Sequence, residues 1–266
     1  MKKVVFIFAV TSVLALTFVT IASAGAVLDR ILQKGELVVG ITGDQPPLNA
    51  KTKTGKIIGL DADLASLIAG NLGVKVKFAT MPFAKLLPAL EAGEVDMILS
   101  GMTMTMERNL KVAFIGPYFV SGKGILTKKE NIATLEQADG LNKPGLKVAA
   151  LTDSTSQELV EIAAPKATLV KTKSYDEATD LLIQDKIDAL IADYPFCAVS
   201  AFRYQEKGLI AGKTPITFEP LGIALQEDTL LINWVQNFLK MLEGTGVLRE
   251  LTARWFKTAS WIEELE

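Results

Sequence analysis

The stretch "EVDMILSGMTMTMERNLKVAF", Glu94 to Phe114, decides how the chain is read. Val95, Met97, Ile98 and Leu99 form an apolar run of strand length, and Ser100-Gly101 is the small-residue breaker that stops it. Thr103 and Thr105 place hydroxyls just beyond the strand, and Arg108 follows in a helix start. A guanidinium is a planar, permanently charged fork of five donors, which suits a small carboxylate. Two readings stand at this point: Arg108 holds a ligand, or it is a solvated helix residue paired with Glu107 or another acid.

Working outward, the pattern of this stretch occurs twice. "ALEAGEVDMILSG" matches "LLIQDKIDALIAD": a helix end, a tight turn, Val95-Asp96 or Ile187-Asp188, then an apolar strand ending at Gly101 or Asp193. Likewise "LVVGITGD" matches "LKVAALTDS", making Val38–Thr42 and Val148–Thr152 equivalent first strands. Strands alternating with helices imply two similar α/β lobes with mostly parallel sheets. Ligands of such sheets gather beyond the strands' carboxyl ends. Arg108 and Asp193 both lie just past such ends.

Between the first strand and the central stretch, Gly43 and Pro46-Pro47 turn the chain, with Asp44 in the turn. Leu60, Leu64, Leu67, Ile68 and Leu72 then fall at helical spacing. Asp61 and Asp63 occupy that helix's first turn, where acids favour the positive end of the dipole, so both read as structural. Phe83 opens the next helix and can face a cleft or a core.

In the second half, "TDSTSQELVEIA" opens a helix that Asp153, Ser154 or Thr155 can cap, with Gln157 or Glu158 completing a capping box. Its free N–H groups form an anion site, or Ser154 and Thr155 simply cap. Asp193 leaves a carboxylate at the mouth of an apolar strand, which needs a partner. A ligand ammonium is one candidate, and a Lys or Arg from the same lobe is the other. Gly122, Gly124 and Gly222 are permissive points in two crossing segments, and Trp234, Phe238, Trp255 and Phe256 read as core.

The rest of the chain narrows the class. Met1-Lys2-Lys3, the apolar run Val4–Ile21 and Ala22-Ser23-Ala24 fit a cleaved secretory signal peptide over residues 1–24. The 266 residues contain no histidine and one cysteine, Cys197, so lipidation after the signal, internal disulfides, ordinary zinc sites and Ser-His or Cys-His nucleophiles are excluded by inventory. No metal or cofactor is expected. A formal charge of −2 gives no sign of a nucleic-acid binder.

"GLDADLASLIAGNLG", "LLPALEAGEVDMILSGMTMTMERNLKVAFIGPYFVSG" and "IDALIAD" resemble the polar amino-acid class of periplasmic solute-binding proteins, the receptors of ABC importers. The resemblance covers essentially all of the mature chain. It implies a two-lobe Venus flytrap fold with discontinuous lobes, residues 25–120 plus 218–266 and residues 121–217, joined by two hinge strands. It also implies that Arg108 binds a ligand α-carboxylate with Thr103 and the backbone N–H groups of Ser154 and Thr155. Asp193, the Gly101 carbonyl and the Thr103 hydroxyl would take the α-ammonium, and Phe83 would pack on the ligand side chain. The implied partner is an inner-membrane ABC permease, and the implied state a periplasmic monomer.

Four residues depart from the family pattern, the first being Ala62, where a larger apolar residue is usual. Gln45 and Leu48 stand where relatives often carry aromatics, and Asp153 replaces the helix-opening glycine, so its side chain is expected to cap the helix. The scaffold is also similar to cyclohexadienyl dehydratases, through "GITGDQPP". Such an enzyme needs an acid to protonate a leaving hydroxyl. "YPFCAV" after Asp193 supplies none, so Asp44 or Glu158 would have to serve. A ligand sensor for a signalling partner is a third reading.

Overall fold

The computed structural model describes residues 25–265, and the segment read as a signal peptide lies outside them. Helix α1 (Ala26–Lys34) stops at Gly35, whose left-handed φ of 66° lets its N–H reach back to the Ile31 and Leu32 carbonyls. Strand β1 (Glu36–Ile41) follows. The proline turn then forms a small antiparallel sheet of β2 (Asp44–Gln45), β3 (Asn49–Lys51) and β4 (Ile57–Ile58). Next come α2 (Leu60–Asn71), β5 (Lys75–Thr80), α3 (Phe83–Glu91), β6 (Met97–Ile98), α4 (Met106–Asn109) and β7 (Ala113–Ser121). Regular pairing in β6 is shorter than the apolar run. Beyond it, the Thr42 N–H bonds to the Ser100 hydroxyl (3.0 Å), so a side chain takes over from the ladder.

The second half contains β8 (Lys123–Thr127), α5 (Glu130–Ala133), β9 (Lys147–Leu151), α6 (Thr155–Ala163), β10 (Thr168–Thr172), α7 (Tyr175–Ile183), β11 (Ala189–Asp193), α8 (Tyr194–Arg203) and β12 (Ile210–Ala211). The chain returns through β13 (Glu219–Leu225) to α9 (Thr229–Thr245) and α10 (Val247–Lys257). Two five-stranded sheets result, β5-β1-β6-β13-β7 and β10-β9-β11-β8-β12. In each, three parallel strands are followed by antiparallel neighbours. This is the two-lobe flytrap architecture.

The repeated Asp is explained by this arrangement. Asp96 Oδ2 accepts the Val38 N–H (2.8 Å), and Asp188 Oδ2 accepts the Lys147 N–H (2.7 Å), so each carboxylate satisfies a backbone donor in the first half of its lobe's β1 or β9. The first lobe's core joins Leu37, Val39, Leu64, Ile68 and Met97 to Phe238, Leu242 and Trp255 of the returning helices. Each fully buried aliphatic side chain there stabilises the fold by about 1.5–3 kcal/mol. Of the four aromatics read as core, Phe238 and Trp255 are buried, whereas Trp234 and Phe256 are only partly covered. Trp255 Nε1 donates to Asp63 (2.8 Å), which ties α10 to α2.

The chain leaves the first sheet at Ser121 and enters the second at Lys123, and it comes back into the first at Glu219, which pairs with Ser121. None of Gly122, Gly124 and Gly222 has a positive φ, so permissive backbone is not what they supply. Space is the reason at two of them: a Cβ on Gly122 would lie 2.2 Å from the Thr217 carbonyl oxygen, and one on Gly222 would lie 2.5 Å from Met104 Cγ. Among the described residues, no helix is long and apolar enough to cross a membrane.

Candidate functional site

The two lobes meet along a cleft, and charged side chains from both converge there. On the first lobe, Gly101 has φ 58° and a Cβ at this position would lie 2.6 Å from Gln45 Oε1, so a side chain there would be strained and would displace Gln45. The segment after it is clamped onto β13: Met104 N–H bonds to the Pro220 carbonyl (2.8 Å), and Gly222 N–H to the Met102 carbonyl (3.0 Å). Thr105 caps α4 by accepting the Arg108 N–H. That short turn aims Arg108 into the cleft.

Arg108 is buried, which removes the solvated reading. Its Nη1 donates to the Thr103 carbonyl and its Nη2 to the Asp153 carbonyl of the other lobe, both at 3.0 Å. The guanidinium carbon lies 5.5 Å from the centre of the buried Phe83 ring, a cation–π contact. A crevice of about 330 Å³ opens beside it, walled by Leu87, Thr105, Asp153, Ser154 and Glu158.

On the second lobe, Ser154 is the cap of α6. Its hydroxyl accepts the Gln157 N–H (3.3 Å) and donates to the Leu151 carbonyl (2.6 Å). Asp153 does not cap, contrary to expectation. It adopts φ 57°, the left-handed conformation that glycine occupies most readily, and its N–H bonds to Gln157 Oε1. Its carbonyl is what reaches Arg108.

Asp193 is 2% exposed at the end of β11, and both its oxygens are engaged. Oδ1 accepts from Lys123 Nζ (3.0 Å), and Oδ2 from Gln45 Nε2 of the other lobe (2.5 Å). Of the two partners open to Asp193 from sequence, the lysine is therefore present. Burial pushes the Asp193 carboxyl up, against the pull of Lys123.

Glu219 opens β13, opposite Ser121, where the chain crosses back between the sheets. One oxygen, Oε2, accepts from the hydroxyls of Thr103 (2.7 Å) and Thr155 (3.0 Å), one from each lobe, and lies 3.6 Å from Lys123 Nζ. Its other oxygen accepts from Thr217 (3.1 Å). Burial pushes Glu219 up, but Lys123 and the three hydroxyls outweigh it and hold the carboxyl below its ordinary value. Asp44 also links the lobes, its Oδ2 accepting the Tyr175 N–H (2.8 Å), and burial raises its carboxyl.

Asp61 does more than face a helix dipole. It is fully buried, and its carboxylate accepts from Asn49 Nδ2 (2.9 Å), the Gly101 N–H (3.0 Å) and the Tyr118 hydroxyl (2.6 Å). It thus ties the loop at Gly101 to β7. Burial lifts the Asp61 carboxyl to about 7 against these three donors.

The cleft thus brings together Arg108, Thr103, Gly101, Phe83, Ser154, Thr155 and Asp193, and adds Gln45, Lys123 and Glu219, whereas Asp44 lines a separate crevice with Asp176 and Thr179. Sequence reasoning missed Lys123 and Glu219. The signal was available: Glu219 opens "EPLGIAL" and Lys123 opens "KGILT" as charges at the mouth of apolar strands, the criterion that singled out Asp193.

Two lobes closing buried, opposite charges onto one cleft define a receptor for a small polar solute. The chain belongs to family 3 of the bacterial extracellular solute-binding proteins, whose family model matches residues 37–258. It is 31% identical to the ABC transporter glutamine-binding protein GlnH of Bacillus subtilis (strain 168), over 86% of this chain and 84% of that protein. It is 24% identical to the cyclohexadienyl dehydratase of Pseudomonas aeruginosa, over 86% of each chain. Among solved structures, it resembles an ancestral amino acid-binding protein described as a precursor of cyclohexadienyl dehydratase. That match has a TM-score of 0.78 and 36% identity over 86% of this chain and 99% of that one.

Proposed function

We propose that the protein is a periplasmic receptor that binds an amino acid between its lobes and delivers it to the permease of an ABC importer. The observation that carries this reading is the placement of buried Arg108 on one lobe and buried Asp193 on the other, facing one cleft. A zwitterion then cross-links the lobes, and a ligand shifts the open and closed populations only by such differential contacts. Arg108 takes the α-carboxylate with Thr103 and the N–H groups of Ser154 and Thr155. Asp193, the Gly101 carbonyl and the Thr103 hydroxyl take the α-ammonium. Phe83 packs on the ligand side chain, and Asp44, in its separate crevice, links the lobes.

In this reading residues 25–120 with 218–266 move as one lobe and residues 121–217 as the other. The chain is exported by cleavage after Ala24 and works as a monomer. It binds without catalysis: Glu219, the carboxylate that opens the returning strand, is held ionised by Lys123 and three hydroxyls and is therefore a poor acid for a leaving hydroxyl. Calorimetric titration of the mature protein with L-glutamine, L-arginine, L-lysine and L-cystine tests the proposal. Micromolar or tighter binding of at least one, with no loss of water from a cyclohexadienyl substrate, is the expected result. Turnover without amino-acid binding would overturn it.

A further inference from the structure

Lys123 and Glu219 are the first residues of the two strands by which the chain enters the second sheet and returns to the first. Both are buried, 3% and 7% exposed. Lys123 Nζ stands 3.0 Å from Asp193 Oδ1 and 3.6 Å from Glu219 Oε2, between two carboxylates. Its ammonium therefore occupies the partner position on Asp193 that the proposed function gives to a ligand α-ammonium. Its backbone N–H bonds to Thr217 Oγ1 (2.8 Å), which in turn donates to Glu219, so the lysine is anchored at the hinge.

We infer that Lys123 is a specificity-determining resident ammonium that lets the cleft accept carboxylates with or without an α-amino group. This rests on the proposed function, because it presumes that Arg108 receives a ligand carboxylate and that Asp193 faces the α-carbon. A buried carboxylate left without a partner is strongly unfavourable, and in a receptor lacking this lysine a deaminated ligand would leave Asp193 in that state. Here a ligand without an ammonium leaves the Lys123–Asp193 pair in place. An amino acid instead moves the Lys123 ammonium toward Glu219, already 3.6 Å away, and takes over Asp193. Neither ligand leaves a buried charge unpaired. The substrate class is thus widened from amino acids to their 2-oxo or simple deaminated counterparts with the same side chain.

The test is a crossed titration. Wild type, Lys123→Met and the double variant Lys123→Met/Asp193→Asn are titrated with the L-amino acid that binds best in the panel above and with its deaminated analogue. Thermal melts verify that each variant is folded. Wild type is expected to bind the two ligands within about tenfold of each other. Lys123→Met is expected to lose tenfold or more in affinity for the deaminated acid relative to the amino acid. The double variant, which has no charge at position 193 to leave unpaired and keeps Glu219 on its three hydroxyls, restores the deaminated acid toward its wild-type affinity and loses the amino acid. A wild type that binds the amino acid but rejects the deaminated acid overturns the inference, as does an equal loss of both ligands in Lys123→Met. If only the deaminated acid binds wild type, the amino-acid function and the inference fail together, whereas rejection of the deaminated acid alone leaves the amino-acid function standing. If Lys123→Met does not fold, the double variant alone decides: deaminated acid retained and amino acid lost supports the inference, and any other pair of results overturns it.

Discussion

Arg108 in the first lobe donates through Nη2 to the backbone carbonyl of Asp153 in the second, at 3.0 Å. With Nη1 on the Thr103 carbonyl, one planar fork spans the cleft and fixes both the loop after β6 and the turn before α6. The left-handed backbone at Asp153 is part of the same contact. The helix-opening turn of the second lobe is held by its own Ser154 and Gln157, so the carbonyl presented to Arg108 is preset.

Replacing Arg108 by lysine keeps the charge and removes the fork. Two carbonyls spaced for a guanidinium cannot both be served by one ammonium that also holds a ligand carboxylate. Arg108→Lys is expected to weaken amino-acid binding by about 2 kcal/mol, roughly thirtyfold, with thermal stability close to wild type. Calorimetry beside a melting curve checks it. Unchanged affinity would mean that the guanidinium is only an inter-lobe brace.

Gly101→Ala places a Cβ at a left-handed backbone position and 2.6 Å from Gln45 Oε1. The backbone strain costs about 1–3 kcal/mol, and Gln45 must leave Asp193 to make room. Denaturant unfolding is expected to report the lost stability, and titration a weakened ligand site as well. Wild-type values for both would show that the turn relaxes freely.

The pH dependence of stability carries the signature of Asp61. Its carboxyl is raised from 3.8 to about 7 by burial, so the folded protein holds that proton more tightly than the unfolded chain does. The contribution is fully present below about pH 4 and is lost as pH rises through about 7. Denaturant titrations from acid to neutral pH are expected to show wild type losing stability relative to Asp61→Asn across that window. Parallel profiles for the two proteins would show that the Asp61 carboxyl titrates alike in both states.

The chain's internal repeat made the two lobes legible, because Asp96 and Asp188 do the same backbone work in each sheet and so recur at the same place in each pattern. Arg108, Thr103 and Asp193 were visible as polar groups just past apolar strands. What sequence could not give was pairing over long separations. Gln45 reads as a missing aromatic but donates to Asp193, 148 residues away. Asp61 reads as a dipole partner, yet its environment is set by Tyr118 and Gly101, which only the folded sheet brings beside it. Asp153 reads as a cap because acids often cap, and the left-handed turn that makes Ser154 the cap instead is a property of the backbone.

The central claim is that an amino acid is held by opposite charges on the two lobes, and calorimetry of Asp193→Asn beside wild type tests it most directly. Asparagine keeps the shape and one acceptor oxygen for Gln45 but gives up the charge. The account predicts that wild type binds at least one of L-glutamine, L-arginine, L-lysine and L-cystine at micromolar affinity or better. Asp193→Asn, shown by a melting curve to be folded, should then bind that ligand more weakly by about 1.5–3 kcal/mol. No binding of any of the four by wild type, or equal affinity in the two proteins, would contradict it.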